Sequence, residues 1–439
     1  MLHKLSMKLL PALLLAGFSG SASAAGFSLF SQGSGLGNAY AGSAAKSSDA
    51  STIFYNPAGM TQLQAREVSG GLALARPIFK FDNKNSQVGV FDAAGDGGDA
   101  GQWGAVPNGA LSWALNKDLY VGVAIGAPFG QKTEYDIPWK GSAQSNEFDI
   151  KTVNINPSIA YRVNEMFSVG AGFSWQHLSA DYYKRLSDGT VPSLGGPAGA
   201  GVKSHLSLSD DAWGWNIGVL FTPSPSTKVG LSYRSSIEYH TDGNNHTDGN
   251  NYITGTGGLS DIVAARVIAA GRQGGAEADI ELPALAILSV AQKLSDKWEL
   301  LGDVSWMGWS SIDEVPINMK SGIPLLTLPA KFQDTFRFAL GTNYSYSDSL
   351  TLQFGLAYDN SPVKNAETRL SAMPDNDRIW IAFGSKWKPD RAQTVELGLM
   401  YEYIKDAKIN HFEPGQGRLN GEYNSSGVWV FGGQYSLAF

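Results

Sequence analysis

The sequence feature that most constrains the fold is an alternation of apolar with polar or small residues that recurs to the end of the chain. Successive side chains of a strand point to opposite faces, so a period of two predicts a strand with one apolar face. The last segment is typical, with one face formed by Trp429, Phe431, Tyr435, Leu437 and Phe439. The alternation therefore predicts strands whose two faces meet different environments.

The alternation predicts an all-β protein whose strands lie at residues 66–82, 108–116, 119–127, 147–163, 166–183, 208–222, 227–240, 277–293, 297–311, 331–347, 350–360, 376–387, 393–405 and 427–439. Short connections such as 117–118, 164–165 and 348–349 alternate with much longer ones. An even number of strands with short turns at one end and long loops at the other is typical of outer-membrane barrels. Residues 66–439 are therefore predicted to form a 14-stranded antiparallel transmembrane β-barrel. The alternative, a secreted β-sandwich, gives no reason for the alternating loop lengths.

Aromatic residues near the predicted strand ends are candidates for the interfacial girdles of such a barrel. They are Trp139, Trp175, Trp213, Trp309, Tyr401 and Tyr403. Each is weak evidence when it is taken alone.

Residues 1–24 have the pattern of a secretory signal peptide. Lys4 and Lys8 precede the apolar run 9–18, and Ala22-Ser23-Ala24 provides an A-x-A cleavage site. Beyond this segment no apolar run reaches the ~18 residues of a transmembrane helix. We therefore expect export to the outer membrane of a Gram-negative bacterium.

Composition excludes several classes of function. The chain has no cysteine, which excludes disulfides, cysteine-ligated metals and a thiol nucleophile. Its formal charge of −7 and the lack of a dense basic stripe argue against a nucleic-acid partner. The histidines show no metal-ligand spacing, so no metal and no cofactor are predicted.

His177 is the only plausible base for an outer-membrane lipase, and no nucleophile motif surrounds it. No catalytic residue is therefore predicted, and the chain is interpreted as a non-enzyme.

Residues 25–65 precede the first strand and are rich in Gly, Ala and Ser. They are too polar for a strand and too long for a simple tail. A barrel of this size has a wide lumen, so this segment is predicted to be an internal plug, or hatch. A periplasmic tail is the alternative.

One long connection contains an amphipathic helix. Residues 259–268 follow a helical period and end before Gly271, with an apolar stripe at Leu259, Val263 and Val267. An exposed apolar stripe is unfavourable unless it packs against other apolar residues or binds an apolar ligand. We expect it to form a groove with Leu186 and Leu194 of the connection at 184–207, and we add Phe129 to this groove; simple packing between loops is the alternative.

A series of short motifs resembles the FadL family of outer-membrane channels for long-chain fatty acids and hydrocarbons (OMPP1/FadL/TodX-like). The resemblance spans the whole mature chain, and its strength lies in the order of the motifs. They are residues 25–27, 33–42 and 56–58, Tyr161-Arg162, Trp213-Gly214-Trp215-Asn216, Ser232-Tyr233-Arg234-Ser235, Leu282-Pro283, Arg337, residues 339–341, 359–363 and 374–378, and Phe439.

The resemblance implies a monomeric barrel closed by an N-terminal hatch. In the family, ligand first lodges in an apolar groove between two external loops, here 184–207 and 241–276, and then passes to an inner pocket. Hatch movement and a kink in the third strand, beside the Asn-Pro-Ala motif, open a lateral hole in the wall. The gating candidates are Asn56, Pro57, Ala58, Gly126 and Pro128.

Basic residues near the groove bear on the ligand class, because a fatty carboxylate needs Arg or Lys donors. Lys184 matches one basic position of the family, and Arg185 lies beside it. The second position aligns with Leu328, and Lys331 lies three residues away. This departure leaves an uncharged ligand open, as in the aromatic-hydrocarbon branch of the family.

These observations predict a passive outer-membrane channel for long-chain fatty acids or similar hydrophobic molecules, with outer-membrane lipids as its other partner. The alternatives are a hydrocarbon channel of the same family, a general porin and an outer-membrane lipase. A role as a surface receptor is compatible with transport.

Overall fold

The computed structural model of the chain describes residues 27–30, 32–186, 201–239, 247–255 and 259–439. The predicted signal peptide and Leu194 lie outside these ranges. Within them, no helix is both long and apolar enough to cross a membrane.

The described chain is mostly strand. The strands are β1 (Arg66–Asn83), β2 (Gly104–Ala114), β3 (Leu119–Gly126), β4 (Gly130–Glu134), β5 (Glu147–Arg162), β6 (Phe167–Leu186), β7 (Val202–Ser224), β8 (Thr227–Arg234), β9 (Ile237–Tyr239), β10 (Thr247–Thr254), β11 (Gly274–Ala278), β12 (Ile280–Leu282), β13 (Leu285–Lys293), β14 (Trp298–Met307), β15 (Val315–Met319), β16 (Pro324–Leu328), β17 (Thr335–Ser345), β18 (Leu350–Asp359), β19 (Arg378–Trp387), β20 (Gln393–Ile404), β21 (Ala407–Glu413) and β22 (Gly417–Ala438). The helices are α1 (Thr52–Tyr55) and α2 (Leu259–Ala269), and short 3₁₀ turns lie at Leu36–Asn38, Pro57–Gln62, Gly89–Phe91, Lys140–Ala143 and Trp309–Ser311.

A closed ring of antiparallel strands forms the wall. The order around the ring is β1, β2, β3, β5, β6, β7, β8, β13, β14, β17, β18, β19, β20 and β22. The ring closes where β22 pairs with β1, from Glu67 opposite Ala438 to Asn83 opposite Gly421. The predicted 14-stranded antiparallel barrel is thus confirmed. Closure leaves no free sheet edge in the wall, which is the condition for a sheet to cross lipid.

In the wall strands, large apolar side chains face outward and polar or small side chains face the interior, which is the reverse of a soluble protein. Along β17, Phe338 is 51% exposed and points outward, whereas its neighbours Arg337 and Ala339 are buried inside the barrel. Exposed Trp213 and Tyr403 fit the predicted outer girdle. Trp139 and Trp309 do not, because both are fully buried in segments that fold inward: Trp139 stacks on Tyr135 at 3.8 Å, and Trp309 meets Phe27 edge to face at 4.8 Å.

Several predicted boundaries are wrong on the side of the long loops. β7 begins at Val202 and β22 at Gly417, earlier than predicted, and the predicted strand 277–293 is divided among β11, β12 and β13. Strands β4, β10, β15, β16 and β21 were not predicted. These strands belong to the long connections and not to the ring of the wall, and most are too short for their alternation to be recognised in the sequence.

The connection at residues 360–377 is fixed to the wall by a buried ion network. The Arg378 guanidinium donates to Asp375 Oδ1 from Nε at 3.0 Å and to Glu402 Oε2 from Nη1 at 2.9 Å. Arg378 and Glu402 are each 1% exposed. Ser361 Oγ donates to the other oxygen of Asp375 at 2.7 Å. The network thus joins the connection to β19 and β20.

The first prediction concerns this network. Arg378→Met should lower the stability of the folded barrel by about 3–5 kcal/mol, because it leaves two buried carboxylates without their cation. Urea unfolding in lipid vesicles, followed by tryptophan fluorescence, measures the change.

Lys405→Met is the matched control, since Lys405 pairs with Asp377 at 2.9 Å with about half of its side chain exposed. An exposed pair contributes only about 0–1 kcal/mol. Equal stability losses in the two variants would contradict the proposed importance of the buried network.

Candidate functional site

The N-terminal segment, residues 27–62, hydrogen-bonds to inward-facing groups from many sides of the barrel. Asn38 Nδ2 donates to the carbonyls of Thr342 and Phe354, at 3.0 and 3.2 Å. On other strands, the Gly42 N–H donates to Asp303 Oδ1 at 2.9 Å. The segment is therefore held by β14, β17 and β18 at once.

Wall glycines allow this segment to lie directly against the strands. A Cβ on Gly230 of β8 would come within 2.0 Å of the Ala44 carbonyl oxygen, and one on Gly355 of β18 within 2.1 Å of the Asn38 carbonyl carbon. Both contacts are with backbone atoms, which cannot move aside as a flexible side chain would. Glycine at these inward positions is thus required by the close approach of the two backbones.

Asn56, Pro57 and Ala58, predicted as gating residues, lie against β6 and β7. The Asn56 side chain caps the following turn by accepting from the Ala58 N–H at 3.0 Å. Its Nδ2 donates to the carbonyls of Ala44 at 2.7 Å and Val219 at 2.9 Å. One buried amide therefore ties the turn, the rest of the segment and the wall together.

The third wall strand breaks where the sequence predicts a bend. β3 ends at Gly126 and β4 begins at Gly130, and the residues between them pair with the beginning of the N-terminal segment. The Leu29 N–H donates to the Pro128 carbonyl at 2.7 Å, and the Gly130 N–H donates to the Phe27 carbonyl at 2.8 Å. The bend is thus hydrogen-bonded to the N-terminal segment.

A second contact strengthens this link. Gln32 Nε2 donates to the Ala127 carbonyl at 2.6 Å, and a Cβ on Gly126 would come within 2.1 Å of Gln32 Oε1. The Gln32 side chain therefore occupies the space that a side chain at position 126 would need.

The wall is interrupted beside this bend. β2 pairs with β3 only from Gly109 opposite Ile125 to Ala114 opposite Tyr120. Residues 104–108 of β2 pair with β1, and within the described ranges no ladder joins them to the chain after Gly126. The gap between β2 and the bend is the place where the barrel wall lacks continuous pairing.

A small aromatic pocket lies inside the barrel near the bend. Its lining includes Phe30, Met307, Trp309, Arg337 and Asp359. Arg337 is buried, and its Nε and Nη1 atoms have no hydrogen-bond partner among the described residues. Its guanidinium still forms an ion pair, with Nη1 3.9 Å from Asp303 Oδ2, and lies 4.8 Å from the centre of the Phe30 ring. The pocket therefore combines aromatic walls with a buried, ion-paired cation.

Phe129 belongs to this inner region and not to the predicted loop groove. Its ring lies 6.0 Å from Phe27 and 6.2 Å from Trp309, in edge-to-face contacts. The bend carries Phe129 inward, away from the ends of β6 and β7.

The largest of the described cavities lies among the external loops and has a volume of about 350 Å³. Its apolar lining includes Leu186, Leu206, Ile253, Val267, Leu325 and Leu326. Its polar lining includes Tyr182, Lys184, Ser204, Asn251, Arg272, Glu413 and Gln416. β6 and β7 shape it by remaining paired as far as Leu186 opposite Val202. We call this space the outer cavity.

Helix α2 closes one side of the outer cavity through the predicted apolar stripe. Val263 is buried and Val267 half-buried, and they pack with Leu186, Val202 and Ile253. The structure thus brings Leu186, Val263 and Val267 together. The side chain of Leu259 and the whole of Leu194 lie outside the described residues.

The three predicted basic residues lie in different places in the structure, and only Lys184 lines the outer cavity. Lys184 lines the outer cavity and is 11% exposed, with Nζ 3.4 Å from Glu413 Oε1. Arg185, the next residue of the strand, points to the opposite face, where Nη1 donates to the Gly201 carbonyl at 3.4 Å. Lys331 pairs with Glu314 at 3.7 Å on an exposed surface and does not line the cavity.

The structure adds polar residues that the sequence analysis missed. Arg272, Tyr182 and Glu413 all line the outer cavity. Tyr182 alternates inward with Lys184 and could have been found by the period of β6. Arg272 and Glu413 lie at the ends of short elements in distant connections, so no local pattern links them to Lys184.

A second cavity of about 80 Å³ adjoins the first. Tyr182, Thr327, Glu413 and Pro414 line both cavities. The second cavity is also lined by Gln144, Leu370, Ala372 and His411. The connection fixed by Arg378 thus contributes Leu370 and Ala372 to the wall of the second cavity.

His177, considered as the base of a lipase, lies at the outer surface. Its Nδ1 is 2.7 Å from Asp211 Oδ1 on the neighbouring strand. Within the described part of the chain, no serine hydroxyl is hydrogen-bonded to this imidazole. The arrangement is a cross-strand polar pair and provides no activated nucleophile.

Comparisons with known proteins agree with this architecture. The sequence matches the family described as "Outer membrane protein transport protein (OMPP1/FadL/TodX)" over residues 15–439. It is 29% identical to a "Long-chain fatty acid transport protein" of Salmonella typhi, with 94% of each chain covered. Its fold is similar to that of a Pseudomonas aeruginosa FadL homologue, with a TM-score of 0.84, 23% identity and coverage of 94% of this chain and 99% of the other. The Pseudomonas putida toluene transporter TodX is similar with a TM-score of 0.63, 16% identity and coverage of 95% and 100%.

The family match extends over nearly the whole chain, and the closed barrel and the order of its strands agree with it. The chain therefore belongs to the OMPP1/FadL/TodX family of outer-membrane transport proteins.

Proposed function

We propose that this protein is a passive channel that takes long-chain fatty acids, or similar amphipathic molecules with one long apolar chain, from the cell surface into the outer membrane. The observation that carries the proposal is the outer cavity, whose lining combines apolar side chains with the largely buried ammonium of Lys184. An acyl chain avoids water by staying against the apolar lining, while a carboxylate finds a charged donor. The curated relative from Salmonella typhi, named for fatty-acid transport, supports the same ligand class.

The proposed route runs from the outer cavity through the second cavity to the aromatic pocket beside Arg337. There the N-terminal segment, acting as a hatch, separates the pocket from the gap next to β2. Displacement of residues 27–32 would release the bend after Gly126 and open the gap toward lipid. Pro128 and Gly126 serve as the bending point in this proposal, and Asn56-Pro57-Ala58 anchors the part of the hatch that stays in place.

The ion pairs within and around the hatch support lateral release over passage straight through the barrel. Lys46 pairs with Glu299 at 3.2 Å, and Lys386 pairs with Glu396 at 2.9 Å. Burial and the neighbouring Lys386 lower the pKa of Lys46, whereas Glu299 opposes the shift. An apolar chain would have to separate these pairs to reach the periplasm, whereas the gap beside β2 leads directly to lipid.

The uncharged-ligand alternative rests on a specific observation. The positions around Leu325 and Leu326 contribute hydrocarbon and no second lysine to the outer cavity. The similarity in fold to the toluene transporter TodX is compatible with this alternative. A general porin is disfavoured because residues 27–62 lie against the inward-facing wall.

The ligand class is tested by Lys184→Met, with Lys331→Met as the matched control. Cells that carry the wild-type protein should take up labelled oleate, and Lys184→Met should weaken oleate binding by about three- to tenfold because a charged hydrogen-bond donor is lost. Toluene uptake should not change. Lys331→Met should match the wild type, since Lys331 lies on an exposed surface outside the cavity.

Uptake of toluene without uptake of oleate would favour the hydrocarbon channel. Equal effects of the two lysine variants on oleate would remove Lys184 from the proposed binding site.

The plug is tested by deleting residues 25–65. The truncated barrel should conduct ions in planar bilayers far more than the wild type, because the segment fills the space between inward-facing strand residues. Heat-modifiable migration on gels verifies that the deleted protein is still a folded barrel. A folded truncated barrel with unchanged conductance would show that the segment does not block the lumen.

The lateral gate is tested with the pair Ser28→Cys and Phe129→Cys. These residues are directly opposite in an antiparallel bridge, flanked by the two bonds that join residues 29 to 128 and 130 to 27. Such non-hydrogen-bonded pairs have Cα atoms about 4.5 Å apart, which suits a disulfide. The natural chain has no cysteine, so no other pairing competes.

Oxidation of the double variant should stop oleate uptake, and a reductant should restore it, because the tether holds the hatch against the bend. Each single variant controls for loss of the native side chain. Uptake that continues at full rate with the disulfide formed would exclude separation of the hatch from the bend as a required step.

A further inference from the structure

Glu413 places a carboxylate beside Lys184 in the lining of the outer cavity, where the proposed function requires an anionic head group to bind. Its Oε1 atom accepts from Lys184 Nζ at 3.4 Å. The side chains of Lys184 and Glu413 are 11% and 28% exposed, so water screens the pair only in part. The cavity therefore already holds one carboxylate on the lysine that a ligand carboxylate would use.

The Lys184–Glu413 bond is long for its type. Hydrogen bonds between an ammonium and a carboxylate are typically about 2.7–2.9 Å. An ammonium also has three N–H donors, so Lys184 can turn toward a second carboxylate without first losing Glu413. Lys184 therefore has donors left for a ligand carboxylate while Glu413 stays beside it.

Arg272 supplies a second cation to the same cavity. Its side chain is exposed and has no ion-pair partner within the described ranges. Two cations and one carboxylate thus line the outer cavity, which leaves a net charge that one ligand carboxylate can neutralise. Glu413 and the ligand would compete for Lys184.

Glu413 lies where the outer cavity meets the second cavity. It would therefore compete with the ligand carboxylate at the point where the ligand leaves the outer cavity. Glu413 and the adjacent Pro414 line both the outer and the second cavity. Glu413 is carried by the tight hairpin between β21 and β22, where it pairs with Gly417 and its carbonyl accepts from the Gln416 N–H at 3.0 Å. This hairpin holds the carboxylate at the junction, next to the lysine.

We propose that Glu413 is a specificity-determining residue that acts as a built-in competitor for the ligand carboxylate. It holds Lys184 when the cavity is free of ligand, and it returns to Lys184 as a fatty acid moves toward the second cavity. It therefore weakens the capture of anionic ligands selectively and keeps that capture reversible. This inference rests on the proposed function, because it takes the ligand to be a long-chain molecule with a carboxylate.

The test compares two probes with the same chain, oleate and oleyl alcohol, on purified full-length protein in lipid nanodiscs. Glu413→Gln keeps the size of the side chain and removes its charge. We expect it to tighten oleate binding by about two- to fivefold, the range of a partly exposed charge interaction. Binding of oleyl alcohol should stay within experimental error, and the gain for oleate should shrink as salt is raised.

Glu314→Gln is the matched control, since Glu314 forms a lysine pair of similar length, 3.7 Å, among the external loops outside both cavities. It should leave both affinities unchanged.

Unchanged or weakened oleate binding in Glu413→Gln would overturn the inference, since Glu413 would then be neutral or would position Lys184 for the ligand. Equal tightening for oleate and oleyl alcohol would overturn it as well, because the effect would then be one of shape. If the wild-type protein binds neither probe, the proposed function itself fails. If the wild type binds oleate and Glu413→Gln binds it equally well, only the inference about Glu413 fails.

Discussion

The structure depends on one constraint, the need of every backbone N–H and C=O group in the hydrocarbon of a membrane to have a partner within the protein. A sheet meets this need only if it closes, and the pairing of β22 with β1 closes it here. Closure then dictates the inverted faces, since lipid surrounds the wall and the polar groups point inward. It also makes any local loss of pairing significant, and the interruption between β2 and the bend after Gly126 is such a place. The N-terminal segment supplies the backbone partners that the wall lacks there, because residues 27 and 29 bond to residues 130 and 128.

A barrel of this width encloses more space than its own side chains fill. In this chain the N-terminal segment occupies that space, and its backbone lies directly against the wall. Small inward residues such as Gly230 and Gly355 let the N-terminal segment approach to backbone contact. The segment is then held through hydrogen bonds and ion pairs, as at Asp303 and Glu299, as well as through apolar packing of residues such as Phe30 and Ile53. Polar contacts of this kind can exchange with water when the segment shifts. We infer that the same contacts can hold the segment and let it move.

The sequence predicts the wall well and the loops poorly, for a physical reason. Lipid on one side imposes alternation at every wall position, so Phe336, Phe338 and Arg337 reveal their faces from the sequence alone. The long connections meet no such demand, and a strand as short as β15 alternates over too few residues to be distinguished from a loop. The residues of the candidate site likewise divide into those that the sequence predicts and those that it does not. Lys184 and the α2 stripe follow from local pattern and resemblance, whereas Glu413 and Arg272 reach the cavity only through the tertiary path of distant connections. Trp309 and Phe129 were misplaced because a bend or a turn, which periodicity cannot detect, carries each of them inward.

Transport by stepwise transfer requires that no site on the route holds the ligand too tightly. In the outer cavity the apolar lining can contribute affinity that grows with chain length. A strong cation would add to this and slow release, yet the ligand must be recognised by its head group to be distinguished from other apolar molecules. A carboxylate of the protein beside Lys184 satisfies both needs, because it keeps the cation available while reducing the net gain on binding. Deeper in the barrel, Arg337 is paired in the same way with a carboxylate of the protein, because its Nη1 lies 3.9 Å from Asp303 Oδ2. Both cations on the proposed route therefore lie beside a protein carboxylate, which in our proposal keeps the binding of the head group reversible at each step.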